Sequence, residues 1–237
     1  MSWQIQIQLN EKLYLRDPSV SDLGRRIIQQ GAVMIEKIGL EEFTFKKLAS
    51  ELNTNESSIY RYFENKHRLL LYLVNWYWRW MEYQIMVQTS SLDHVEQKIE
   101  ITLRILLHQQ NTDLFGGPTL DRNVLRSLII KESAKSYLTN HVTEDNQQLL
   151  FKPYKDLCAR MAGIFSQLNN EYRYCRSLAS TVLEMTHQQH FFMHHLPSLT
   201  DFGKEKDETE IFHFLQSLIL GTLYHNMADN GILRQQK

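Results

Sequence analysis

The chain reads as all-α, and three observations point that way. Apolar residues recur at steps of three and four along most of its 237 residues, and prolines and glycines are few, at four and nine. Clear breaks between the periodic stretches are short and polar. Those patterns belong to amphipathic helices rather than to a turn-rich β architecture. The one exception lies at the start. Residues 3 to 9 alternate Trp3, Ile5, Ile7, Leu9 with Gln4, Gln6, Gln8, a period of two that predicts a short strand, with Lys12 to Leu15 as its hairpin partner.

Each helix follows from its own punctuation. Asp17-Pro18-Ser19 breaks the chain, Ser21 or Asp22 caps a helix, and Leu23, Ile27, Ile28, Ala32, Ile35 and Ile38 form its apolar face up to Gly39. A short helix is expected from Thr44 to about Leu52, then a polar break at Asn53-Thr54-Asn55 and a second short helix ending near Tyr60-Arg61-Tyr62-Phe63. A long helix spans about 66 to 89, striped by Leu69, Leu73, Trp76, Trp80, Tyr83 and Val87. Ser90-Ser91 should cap another, about 92 to 109; Gly116-Gly117-Pro118 marks the clearest loop. Helical patterns resume at about 121–137, 145–169, 171–195 and 206–228, with Pro153 placed to kink or split the second of these. The expected organisation is an extension (1–20), a three-helix reading domain (21–66) and a larger helical domain (67–237).

Composition narrows the function classes. Apolar content of 43% with 22% charge suits a soluble chain with a real core. A net charge of −1 gives no global field favouring nucleic acid. Cys158 and Cys175 make neither a metal-like spacing nor a disulfide framework, no apolar run is long enough to span a membrane, and MSWQIQIQLNEK lacks signal-peptide character. A cytoplasmic protein is expected, with no membrane association.

The most informative stretch is Phe43 to Lys66, FTFKKLASELNTNESSIYRYFENK. Two short helices joined by a polar turn have the layout of a helix-turn-helix, one helix across a DNA backbone and the other in the major groove. Thr44 stands at an N-cap, where its hydroxyl and free N–H groups can hold a phosphate, with Lys46 and Lys47 in the same turn. Asn55 is placed to cap the second helix, leaving Glu56, Ser57 and Ser58 on its leading turn, where short polar side chains reach base edges. Tyr60, Arg61, Tyr62 and Lys66 supply further donors. Spacing alone fits a DNA reader and a pair of packing helices equally well.

The order of these residues resembles the N-terminal domain of TetR-family transcriptional regulators. The likeness runs from Gly24 to Lys66: Gly39 ending the first helix, Thr44 with Leu48-Ala49, the turn Asn53 to Asn55, and Tyr60-Arg61-Tyr62-Phe63 with Lys66. It implies that Thr44, Tyr60, Tyr62 and Lys66 contact phosphate, and that Ser57, Ser58 and Arg61 lie close to the bases. It further implies a two-fold dimer built from the last two helices, through Leu215, Leu218, Ile219, Gly221 and Thr222, and an effector pocket among the middle helices. Trp76, Trp80, Tyr83, Met86, Phe115, Tyr154, Met161 and Phe165 are the candidate lining, and their chemistry favours a hydrophobic or planar ligand. The implied function is a homodimeric repressor on a palindromic double-stranded operator, released by a small effector. Neither an enzymatic activity nor a cofactor is expected.

Two features depart from the family pattern. Residues 20–66 carry Lys/Arg at 25, 26, 37, 46, 47, 61 and 66 against Asp/Glu at 22, 36, 41, 42, 51, 56 and 64, so the reading head is neutral. Glu56 sits where lysine is frequent in the family. The extension before residue 20, with only Lys12 and Arg16 basic, is expected to pack on the domain rather than insert into a minor groove.

A histidine-rich helix supports a rival reading, a helical-bundle metal-binding protein or di-iron-type enzyme. His187, His190 and His194 share a helix face with His195 beside them, and Glu184/His187 and Glu210/His213 make two Glu-x-x-His units of the kind used by di-iron bundles. No facing pair of glutamates accompanies them, so partly exposed polar histidines are expected here and no metal.

Overall fold

The computed structural model describes residues 7–109 and 120–235. Eleven α-helices follow one another among the described residues: α1 Asp22–Glu42, α2 Phe45–Glu51, α3 Glu56–Tyr60, α4 Lys66–Thr89, α5 Val95–Leu106, α6 Arg122–Glu132, α7 Ala134–Tyr137, α8 Val142–Gln147, α9 Lys152–Leu168, α10 Cys175–His195 and α11 Glu208–Gln235. Short 3-10 turns sit at Glu11–Leu13, Pro18–Val20 and Pro197–Leu199. The protein is all-α.

Among the described residues the start forms no hairpin. Residues 3 to 6 lie outside the described residues, and where the return strand was expected the chain forms the 3-10 turn Glu11–Leu13. The reason is local and then tertiary. Asn10 accepts from the Lys12 N–H, closing the turn, and its amide donates to the Gln148 carbonyl at 2.8 Å. Leu13 is buried, and the Leu15 N–H donates to the Tyr62 carbonyl. The described part of the extension therefore packs on the first unit, as its low charge anticipated.

Contacts divide the chain into two compact units, one drawing on the stretches 1–80 and 112–154, the other on 81–111 and 155–237. In the first, α1 buries Ile27, Ile28, Ala32 and Ile35 against α2 and α6, each isoleucine contributing roughly 1.5–3 kcal/mol of apolar transfer. Ser21 caps α1 by accepting from the Gly24 N–H. Gly24 has no room for a side chain, because a Cβ there would collide with the Pro18 backbone. Residues 69–78 of α4 are all buried, so this segment is enclosed rather than striped. Asn75 survives in it by donating to the Leu71 carbonyl.

Helix ends explain most boundary shifts. α2 closes with Asn53 in the left-handed region (φ 51), its N–H on the Ser50 carbonyl and the Thr54 N–H on the Ala49 carbonyl, a Schellman ending. The same ending terminates α5 at His108 (φ 57) and α8 at Leu149 (φ 61). Pro153 then lies in the first turn of α9, where a missing N–H is harmless, so the pattern over 145–169 splits as its proline foretold. Ser90-Ser91 do not cap α5; His94 precedes its first residue.

In the second unit α11 packs on α5 and α10, burying Ile211, Phe212, Leu215, Ile219 and Leu223. Asn169 ties the end of α9 to α11 through the Leu223 carbonyl. Arg160 pairs with Glu82, and the Arg104 guanidinium lies 4.7 Å from the centroid of the Phe212 ring.

Two expectations follow. Gly39 has φ 76 and ψ 158, a region essentially restricted to glycine, so Gly39→Ala should cost about 1–3 kcal/mol in a denaturant titration. Glu36 accepts from Lys131 at 2.6 Å and Ser127 at 2.7 Å, and the Lys131 bond, then the Ser127 bond, holds its carboxyl below the usual range. A depressed folded-state value stabilises above the unfolded value of about 4.3 and loses that contribution as pH falls through the folded one. The stability gap between the natural chain and Glu36→Gln should therefore be open at neutral pH and close in acid below about pH 4.

Candidate nucleic-acid interface

The reading head is built on an aromatic base. Phe43, Phe45, Leu48, Ile59 and Phe63 are buried, with Phe43 against Phe45 at 6.2 Å and Phe45 edge-on to Tyr60 at 5.1 Å between ring centroids. Small Ala49 is buried where α2 meets α3. This core leaves Thr44, Lys46, Lys47, Asn55, Ser57, Tyr60 and Arg61 exposed, and Glu56 and Ser58 partly so. Nine of the expected contact residues thus reach solvent from the short segment carrying both helices.

Thr44 occupies the N-cap of α2 and accepts from the Lys47 N–H at 3.2 Å. Its hydroxyl proton stays available to a phosphate oxygen. Lys47 spends part of its charge locally, donating to the Glu42 carbonyl and lying 3.6 Å from the Glu42 carboxylate. Among the described residues Lys46 and Arg61 have no ion pair or side-chain hydrogen bond. Asn55 stands at the N-cap of α3 without a side-chain capping bond, which leaves its amide available.

The two tyrosines divide inward and outward. Tyr60 is 47% exposed; Tyr62 is 3% exposed. The Tyr62 hydroxyl shares a 2.8 Å hydrogen bond with Ser21 Oγ, and the Arg16 guanidinium lies 5.4 Å from its ring centroid. Lys66 also faces the protein. Its ammonium donates to the carbonyls of Leu40, Glu41 and Phe43 at 2.8, 2.8 and 3.1 Å, closing the C-terminal end of α1. Arg26 does the same for α2, donating to the Leu52 carbonyl. Sequence reasoning gave Ser21 only its capping role and Arg26 only its charge, since the partners Tyr62 and Leu52 are 41 and 26 residues away.

Residues 27–73 match the family model for bacterial regulatory proteins of the tetR family. The reading head is therefore of the tetR type. Two solved structures share the chain's fold. The fatty acid degradation regulator FadR from Bacillus halodurans superposes with a TM-score of 0.56 at 18% identity, covering 84% of this chain and 94% of its own. AibR, solved in complex with isovaleryl coenzyme A and operator DNA, gives 0.56 at 15%, with coverage of 82% and 97%. No curated protein sequence matches the chain.

Beyond the TetR-type head the other candidates fall in different settings. Trp76, Trp80 and Tyr154 belong to the first unit; Tyr154 stacks on Tyr137 and meets Trp78, while Arg122 lies over Trp80. Tyr83, Met86, Met161 and Phe165 belong to the second, with Met161 and Phe165 fully buried and Met86 exposed. Phe115 lies outside the described residues. On α11, Leu215 and Ile219 are buried within their own chain, whereas Leu218 and Thr222 are half-buried and Gly221 is exposed with open space where a Cβ would stand. No helix among the described residues is long and apolar enough to cross a membrane.

Neither thiol is activated. Burial first, then Glu184, pushes Cys158 up to about 12, and burial raises Cys175 as well. Of the histidine candidates, His190 and His194 approach Glu208, a residue that the helical spacing did not single out because it opens the next helix. Burial above all, then His190 and Lys206, lowers the His194 pKa.

The division between inward and outward side chains can be measured. Lys66→Met should destabilise the fold by about 1–3 kcal/mol, since three carbonyls lose their donor. Lys46→Met should leave the unfolding midpoint unchanged.

Proposed function

We propose that the protein is a ligand-responsive repressor that binds a palindromic operator as a homodimer and is released by a small hydrophobic effector. The observation that carries the reading is the exposed set Thr44, Lys46, Asn55, Ser57, Tyr60 and Arg61 on a buried aromatic base. Thr44, Lys46, Lys47 and Tyr60 contact phosphate and set the register, while Ser57, Ser58 and Arg61 read base edges in the major groove. Glu56 accepts from a cytosine amino group or rejects other bases by repulsion. Tyr62 and Lys66 position these groups, and whatever phosphate contact they make is secondary to that.

Pairing uses the outer face of α11. Phe214 and Tyr224 are exposed there, Leu218 and Thr222 are half-buried, and Gly221 permits close approach of a partner helix. A two-fold axis then places two heads about one duplex turn apart, ~34–36 Å, and a two-fold protein matches a palindromic site.

The effector reading draws on the aromatic and methionine side chains of the middle helices. It is supported by the two structures of similar fold, a fatty acid degradation regulator and a complex with isovaleryl coenzyme A. α4 is continuous from Lys66, and Lys66 is bonded to the end of α1, so displacement of α4 carries the head with it. An effector that prefers the displaced state shifts the population away from operator binding by its differential affinity and no more.

Selection of fragments from random duplex DNA by the purified protein tests the class: a recovered palindrome is expected, and no enrichment would sink it. Salt dependence tests the contacts. With Lys46 and Lys47 as the phosphate-contacting cations of each head, a dimer should give a slope of log K against log salt of about −4, far from the about −10 of a strongly basic repressor.

A further inference from the structure

α10 carries His190 and His194 one helical turn apart near its C-terminal end, and the chain returns through residues 196–207 to start α11 at Glu208. The two imidazole centroids are 4.6 Å apart, and His190 Nε2 lies 3.0 Å from Glu208 Oε1. One donor atom from each of the three residues falls within 4.8 Å of the others. Donors about 2.1 Å from a tetrahedral ion are about 3.4 Å apart, so modest side-chain rotation, chiefly of exposed His194, suffices to close the shell.

We propose that His190, His194 and Glu208 form a binding site for a divalent transition-metal ion of the Zn2+ class. Two imidazoles and one carboxylate are a borderline donor set; Ca2+ and Mg2+, which favour oxygen ligands, are disfavoured by it. Three protein ligands leave a fourth position for water or a further donor.

The surroundings hold the donors in place. Asp207 accepts from both the N–H and the hydroxyl of Thr209, capping the first turn of α11, and Gln109 donates to the Glu208 carbonyl at 3.3 Å. His190 is only partly exposed, and Met193 on the intervening turn is fully buried. The opposing charges nearby are Lys206 and His195, both exposed and therefore screened by water. Neither Glu-x-x-His unit contributes a ligand; the pairing instead joins the end of one helix to the beginning of the next. A bound ion cross-links these two ends and closes the loop 196–207, so its binding energy adds to the stability of the α10–α11 pair. The site is independent of the DNA-binding reading.

The experiment uses the full-length chain without an affinity tag, stripped with chelator and titrated calorimetrically with Zn2+, with Co2+ as an optical probe. Expected are one Zn2+ per chain at micromolar or tighter affinity, visible Co2+ bands of four-coordinate intensity, and a raised thermal midpoint in the presence of Zn2+. His194→Ala and Glu208→Gln should each weaken binding by about tenfold or more and remove the thermal shift. His195→Ala, a neighbour stacked on Phe191 and outside the cluster, should leave both unchanged. Because His194 is exposed, its replacement keeps the fold even if the change at Glu208 does not. No uptake at micromolar Zn2+, or a loss in His195→Ala equal to that in His194→Ala, would overturn the assignment.

Discussion

The last turn of a helix leaves carbonyl oxygens with no donor inside the helix, and something must donate to them. At the end of α1 that donor is the Lys66 ammonium, which takes the carbonyls of Leu40, Glu41 and Phe43. The consequence is mechanical. Gly39 bends the chain out of helical geometry, Lys66 collects the carbonyls that the bend exposes, and the same lysine opens α4. One side chain therefore joins the end of the first helix of the reading head to the start of α4, and Thr44 begins α2 from the end of that closure.

The head's neutrality becomes intelligible from the same geometry. A head with balanced formal charge is not balanced at its surface, because Lys66 and Arg26 direct their charges at backbone carbonyls and Lys47 leans on Glu42. Lys37, Lys46 and Arg61 remain facing outward, the last two beside neutral donors such as Thr44, Ser57 and the Tyr60 hydroxyl. Such a surface relies on oriented hydrogen bonds more than on bulk attraction, which suits discrimination between sequences better than indiscriminate adhesion to DNA.

Much of this architecture was legible in the amino-acid order. The bounds of α4 at 66 and 89 coincide with those expected, because no glycine, proline or capping residue interrupts the stretch. The polar turn at Asn53 and the split at Pro153 were visible as chemistry before their geometry was known. What the order hid is tertiary. Tyr60 and Tyr62 look alike in the string, yet one carries its hydroxyl to solvent and the other to Ser21, 41 positions away. Alternation of Ile7 and Leu9 reads as a strand until Asn10 finds the Gln148 carbonyl. Among the histidines, period alone groups His187 with His190 and His194, whereas the return of the chain brings in Glu208 and leaves His187 in the core.

Among the described residues three helices end on a left-handed residue that is not glycine: Asn53, His108 and Leu149. Asparagine tolerates that conformation well, but a leucine there meets a steric penalty of roughly 1–2 kcal/mol, and Leu149 is also exposed to water. The Schellman bonds around it are retained in spite of the side chain, not because of it. The native state consequently lies above the lowest free energy that its own backbone could support. That distance is stability left unclaimed at a surface corner far in sequence from the reading helices, and it narrows the margin within which costly substitutions elsewhere are tolerated.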